Sequence, residues 1–259
     1  MAQRKPIVGG NWKMNLDRQR SVQLAEATGR AVHDASTSVD VTLFPAFPYL
    51  YAVGATVRAS AASVEMGAQD CSQYSDGAYT GEVSLPMLKD CGCAWVLVGH
   101  SERRHVIGET DVIVNQKLRA ALDAGLDVVL CIGETLDQRE AGQTDAINEQ
   151  QLRSGLALVP DDVIGRIVIA YEPVWAIGTG KTATPADAQA AHQQIRAVLA
   201  DMHDDRLASE IRIQYGGSVK PGNAPELAQM PDIDGFLVGG ASLDAGPFAQ
   251  IVEAMAASI

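Results

Sequence analysis

The 259-residue sequence is poor in cysteine, aromatic residues and positive charge, and it has no long apolar run. Its four cysteines, Cys71, Cys91, Cys93 and Cys131, form no Cys-x-x-Cys pair. That excludes a disulfide framework and leaves no zinc-ligand spacing, so we expect no metal site. Cys91-Gly92-Cys93 is the one close pair, read as small packing residues. No apolar stretch approaches the ~20 residues of a membrane-crossing helix. The start, Gln3-Arg4-Lys5 before Pro6-Ile7-Val8-Gly9, has too short an apolar run for a secretory leader, so the expected location is cytoplasmic. Lysine and arginine number 20 against 32 acidic residues, and the net charge of -12 repels polyphosphate backbones and anionic membranes. Neither nucleic acid nor membrane is therefore expected as a partner. A small anionic ligand is still compatible where a lysine lies near glycine-rich turns or helix starts. No Gly-x-Gly-x-x-Gly opens a helix after a strand, which weakens a dinucleotide-binding fold.

What is abundant is apolar residues, 47% of the chain, set in short runs rich in Val, Ile and Leu that alternate with longer stretches of helical spacing. Predicted strands lie near Ile7 to Asn11, Val39 to Phe44, Val64 to Ala68, Trp95 to Gly99, Val128 to Ile132, Ile167 to Tyr171, Ile211 to Tyr215, and Phe236 to Gly239. Between them, Val114, Leu118, Ala121 and Leu122 make a helix face that ends at Gly125, read as a C-cap. Ala191, Ile195, Val198, Leu199 and Met202 make another; Phe248, Ile251, Val252, Met255 and Ile259 make the last, suited to sealing the fold against its first unit. Eight strand-helix units in a chain of this length predict the α/β class and a closed (β/α)8 barrel, one domain over residues 1–259.

Two connections stand out. Gln69 to Val83 runs about fifteen residues without apolar period, where ~2 to 6 are usual. Its Tyr74, Ala78, Tyr79 and Thr80 suit docking into another subunit. The second, Ala170 to Lys181, ends an apolar strand in Glu172-Pro173, continues through Val174, Trp175, Ala176 and Ile177, and closes on Gly178-Thr179-Gly180 before Thr184-Pro185, read as a helix N-cap and first turn. An apolar loop beside a carboxylate reads as a lid that excludes water, or as a plain strand-to-helix connection whose tryptophan packs on the barrel.

In a barrel the segments after each strand converge on one face. They supply Asn11-Trp12-Lys13, His100-Ser101-Glu102-Arg103-Arg104, Glu172, Gly216-Gly217-Ser218 and Gly239-Gly240-Ala241. Lys13 is the positive group directly after the first strand, beside the amide of Asn11. His100 sits at a helix N-terminus, where the dipole disfavours imidazolium. Glu102 could pair with Lys13 or Arg103, or stabilise that helix start. The glycines allow close backbone approach to a phosphate, with Ser218 adding a hydroxyl and Gly178 an amide.

Asn11-Trp12-Lys13, Val98-Gly99-His100-Ser101-Glu102-Arg103-Arg104, Tyr171 through Lys181, Tyr215-Gly216-Gly217-Ser218 and Gly239-Gly240-Ala241-Ser242 resemble, in order and over the whole chain, the motifs of triosephosphate isomerase. The resemblance implies interconversion of dihydroxyacetone phosphate and D-glyceraldehyde 3-phosphate, in glycolysis and gluconeogenesis, without metal or organic cofactor. It implies Glu172 as the proton-transferring base, neutral His100 as the group that polarises the carbonyl and relays protons between oxygens, and Lys13 with Asn11 as stabilisers of the enediolate. Gly178, Ser218, Gly239 and Gly240 are implied to hold the phosphate; Glu102, from its place after His100, is read as a supporting residue. A homodimer through the loop Gln69 to Val83 is also implied. Met14 stands where some members carry cysteine, so no interface thiol is expected. Because a fold never guarantees chemistry, a non-catalytic barrel that binds sugar phosphates is the alternative, followed by one acting on another phosphorylated aldose or ketose.

Overall fold

A computed structural model describes residues 4–60, 62–176 and 183–259. The strands are β1 (Ile7–Asn11), β2 (Asp40–Phe44), β3 (Val64–Ala68), β4 (Trp95–Val98), β5 (Asp127–Ile132), β6 (Ile167–Tyr171), β7 (Arg212–Tyr215) and β8 (Gly235–Val238). Each pairs in parallel with its neighbour, and β8 returns to β1 with Val8 opposite Phe236, closing the barrel in sequence order. The predicted strands fall on these within one residue at either end.

Among the described residues the α-helices are α1 (Arg18–Ala31), α2 (Leu50–Ala59), α3 (Leu85–Asp90), α4 (Asp111–Asp123), α5 (Leu136–Glu140), α6 (Thr144–Gly155), α7 (Pro185–Met202), α8 (Asp205–Glu210), α9 (Ala224–Ala228) and α10 (Ala245–Ala256). They surround the barrel, so its strands are covered on both faces and read as nearly continuous apolar runs. Alternation sorts their side chains. Ile7, Leu97, Val129, Cys131, Val168, Ala170 and Leu237 fill one cluster with Phe44 and Trp95. Val8, Val96, Val98, Val128, Leu130 and Ile169 belong to the larger cluster that includes the helices' apolar faces. Each such Val, Leu or Ile fully removed from water contributes about 1.5–3 kcal/mol.

Local chemistry sets the helix ends. Thr184 caps α7 through a capping box with Asp187, and Pro185 opens the first turn as predicted. Gly125 takes φ +86° just past α4, a backbone that favours glycine, and its amide donates to the Leu122 carbonyl. α10 packs against α1, so the last helix does seal the first unit. Ile259 does not share that role: it lies beyond the helix end and is 51% exposed, while Phe248, Ile251, Val252 and Met255 are buried. The four cysteines are free thiols, with Cys71, Cys93 and Cys131 buried and Cys91 partly so.

No helix or strand interrupts the chain between Ala68 and Ser84. The base of this long loop is closed by the Ser72 amide donating to the Val83 carbonyl at 2.9 Å. Its start is anchored by a buried ion cluster in which Lys117 of α4 reaches both Asp70 and Glu109, and Arg103 reaches the same two carboxylates. At the exposed tip Tyr74 and Tyr79 stack, ring centroids 4.2 Å apart.

Candidate active site

The C-terminal ends of the strands surround a cavity of about 580 Å³. Asn11, Lys13, His100, Glu172, Ser218, Gly239 and Gly240 all line it, so seven predicted residues from five strand ends meet at one place. Gly178 lies outside the described residues, as does the rest of the predicted lid stretch from 177 to 181.

Lys13 has a left-handed backbone, φ +52°, which costs a side-chain-bearing residue about 1–2 kcal/mol. Two hydrogen bonds hold it there: its amide donates to Asn11 Oδ1 at 3.0 Å, and Gln69 Nε2 donates to its carbonyl at 2.9 Å. The side chain then reaches Glu102, with Nζ 2.6 Å from Oε1. Of the pairings open to Glu102, Lys13 is the one made; Arg103 turns instead to Glu109 and Asp70.

His100 and Glu172 are both buried. Nε2 of His100 is 3.0 Å from Glu172 Oε1, and the amide of Glu102 donates to Nδ1 at 3.2 Å. That amide needs a lone pair on Nδ1, which leaves the neutral ring with its proton on Nε2, aimed at the carboxylate. Burial opposes charge on the imidazole, yet the adjacent Glu172 carboxylate outweighs it and raises the His100 pKa above 6.5. The helix start alone predicted the opposite direction; the carboxylate from β6 was the missing neighbour.

Burial pushes the Glu172 carboxyl up, and His100, the Ser101 amide and Lys13 together bring it below 4.5. The Ser101 amide donates to Oε2 at 2.9 Å and its hydroxyl to Oε1 at 3.4 Å. The result is an ionised carboxylate with little water around it, poised as a base. The backbone beside it is set by close approach: a Cβ on Gly133 would lie 1.7 Å from the Glu172 carbonyl oxygen. At Gly239 and Gly240 an added Cβ meets only Lys13 Cε, at 3.6 Å, or nothing within 4 Å. Those glycines border the cavity itself.

Glu134 escaped the sequence reading although its setting matches that of Glu172, a carboxylate just past an apolar strand end. It is fully buried and accepts from Tyr171 Oη at 3.1 Å and Trp175 Nε1 at 2.9 Å. Arg139 stacks 4.2 Å over the Trp175 ring and pairs with Asp187 at the cap of α7. Trp175, within the stretch read as a lid or a plain connection, is thus buried between Glu134 and Arg139.

The triosephosphate isomerase family model matches residues 6–255. The chain belongs to the triosephosphate isomerase family. It is 53% identical over 251 residues to the triosephosphate isomerase of Chlorobium phaeobacteroides (strain BS1), covering 97% of this chain and 99% of that one. Its identity to the triosephosphate isomerase of Prosthecochloris aestuarii is 52%, over 97% of this chain and 98% of that one. With that of Chloroflexus aurantiacus the identity is 50%, over 96% and 99%. Membership in the triosephosphate isomerase family accords with the strand-end motifs and with the closed barrel that brings them together.

Proposed function

We propose that this chain interconverts D-glyceraldehyde 3-phosphate and dihydroxyacetone phosphate through an enediolate, in glycolysis and gluconeogenesis, in the cytoplasm and without metal or organic cofactor. The observation that carries the reading is a buried Glu172 carboxylate beside His100, 3.0 Å from its Nε2, in a cavity that also holds Lys13. The Glu172 carboxylate takes a proton from the carbon next to the carbonyl and returns it to the other carbon. As the first proton leaves, negative charge moves onto the carbonyl oxygen. His100 Nε2–H donates to that oxygen and relays a proton from the neighbouring hydroxyl oxygen to it, while the Lys13 ammonium with the Asn11 amide stabilises the enediolate. Substrate must displace the His100 and Ser101 contacts of Glu172, so the base is released only when the site is filled. Backbone amides at Gly239, Gly240 and Gly178, with the Ser218 hydroxyl, hold the phosphate. A homodimer through the loop Gln69 to Val83, its exposed tip carrying stacked Tyr74 and Tyr79, completes the proposal.

The test is turnover of D-glyceraldehyde 3-phosphate by chelator-treated protein, in wild type and Glu172→Gln. Wild type should turn over, and loss of the base should lower kcat by about 10²- to 10⁴-fold. An unchanged rate in the variant would remove Glu172 from the mechanism. No turnover by wild type, with inorganic phosphate still bound, would leave a barrel that binds sugar phosphates without converting them.

A further inference from the structure

Among the described residues, the charged side chains that line the cavity are accounted for within the fold, except one. Lys13 is paired with Glu102, and Glu172 is held by His100. Asp244 caps α10, its Oδ1 accepting from the Gly246 amide at 3.0 Å, where the helix start offsets its charge. Lys220 lines the same cavity, is exposed, and has no ion-pair partner among the described residues. Its place is nevertheless fixed. The Lys220 amide donates to Asn223 Oδ1 at 2.7 Å, and Asn223 Nδ2 donates to the Ser218 carbonyl at 2.9 Å. Asn223 thereby clasps the turn that follows β7 and sets the lysine at the rim of the cavity bordered by Ser218, Gly239 and Gly240.

We propose that Lys220 is a steering cation that captures the phosphate of the incoming substrate. The inference rests on the anionic substrate proposed above. A chain of net charge -12 repels a phosphate dianion at long range, so a free cation at the mouth of the cleft has a large share in productive encounter. Lys13 contributes less to the long-range field because the Glu102 carboxylate lies 2.6 Å from its Nζ and offsets its charge at a distance, while it still acts on a substrate bound beside it. The interaction acts through water across the rim, so its effect is modest and depends on salt.

The experiment measures kcat/KM for D-glyceraldehyde 3-phosphate in wild type, Lys220→Gln and Lys220→Arg, at ionic strengths from about 0.02 M to about 0.5 M. Lys220→Gln should lower kcat/KM about threefold at low salt, with the loss carried by KM and the gap closing at high salt. Lys220→Arg should restore both the value and the salt slope. Equal salt slopes for wild type and Lys220→Gln would overturn the proposal. So would a deficit that is the same at every salt and is not restored by arginine, since that describes packing. A calorimetric titration with inorganic phosphate at low salt decides the matter without turnover. About threefold weaker binding by Lys220→Gln supports steering, and equal affinity overturns it. If wild type binds phosphate but does not isomerise triose phosphate, the proposed reaction fails while this comparison still judges Lys220.

Discussion

His100 Nε2 and Glu172 Oε1 lie 3.0 Å apart, each buried, so each sets the other's charge. Burial alone would raise the Glu172 pKa; the imidazole, the Ser101 amide and Lys13 reverse that direction. In His100→Gln the donor geometry is partly kept, but no positive charge can form beside the carboxylate. Glu172 should then protonate at higher pH than in wild type. The acid limb of the kcat/KM profile should move up, with a loss at the optimum of about 10²-fold or more. Parallel pH-rate profiles of the two proteins check this, because titration of the substrate phosphate is common to both. An acid limb that stays in place would mean that His100 does not control the base.

The Lys13–Glu102 pair makes a different prediction because it is half open to water, with Lys13 27% and Glu102 50% exposed in their side chains. Such pairs contribute no more than about 1 kcal/mol to folding. Glu102→Gln should therefore leave the urea midpoint nearly unchanged, while kcat/KM falls about tenfold because the ammonium loses its anchor. Stability and kinetics measured on one preparation separate the two effects. A large drop in stability with normal kinetics would make Glu102 a structural residue only.

Much of this was legible in the chain. Strand positions followed from short apolar runs between turn residues, and convergence of Asn11, Lys13, His100 and Glu172 followed from the barrel's topology. What stayed hidden depends on pairing across elements. Glu134 could have been found by applying the strand-end rule to β5, where Ile132-Gly133-Glu134 repeats the pattern of apolar strand then carboxylate. Gln69, which holds the Lys13 carbonyl, is 56 positions away in sequence, and nothing local marks it. The same holds for Lys117, a charged residue on an otherwise apolar helix face, whose burial is explained only by Asp70 and Glu109.

Glu134 carries the third prediction. It accepts from Tyr171 and Trp175 in a site closed to water. Glu134→Leu leaves the buried Tyr171 hydroxyl without its acceptor and removes the oxygen that receives Trp175 Nε1, which costs about 1–3 kcal/mol for the hydroxyl alone. Glu134→Gln keeps one acceptor oxygen and should cost less. Urea unfolding of the two variants checks the order. Because Tyr171 and Trp175 flank Glu172 in sequence, the leucine variant should also lose turnover, and a leucine variant as stable as wild type would show that these contacts are replaceable.

His192 of α7 makes stability depend on acid. It is fully buried, with Nδ1 3.0 Å from the Asp232 carbonyl oxygen and its ring edge-on to Tyr171 at 5.9 Å. Burial lowers its pKa from 6.5 to about 4. The unfolded chain therefore binds a proton below about pH 6.5 that the folded chain refuses until about pH 4, so stability falls as pH drops through this window. The difference corresponds to about 3 kcal/mol at the acid end. Asp70 runs the other way: burial raises it from 3.8 to about 6, so in the folded state it takes up a proton more readily than in the unfolded chain. The informative quantity is the difference between wild type and His192→Gln, in which Asp70 cancels. Urea unfolding at a series of pH values should give a shallower acid decline for the variant between about pH 6.5 and about pH 4, even if it is less stable at neutrality. Two curves of equal slope would mean that His192 charges as easily in the folded barrel as in water, and that water reaches it through the α7 face.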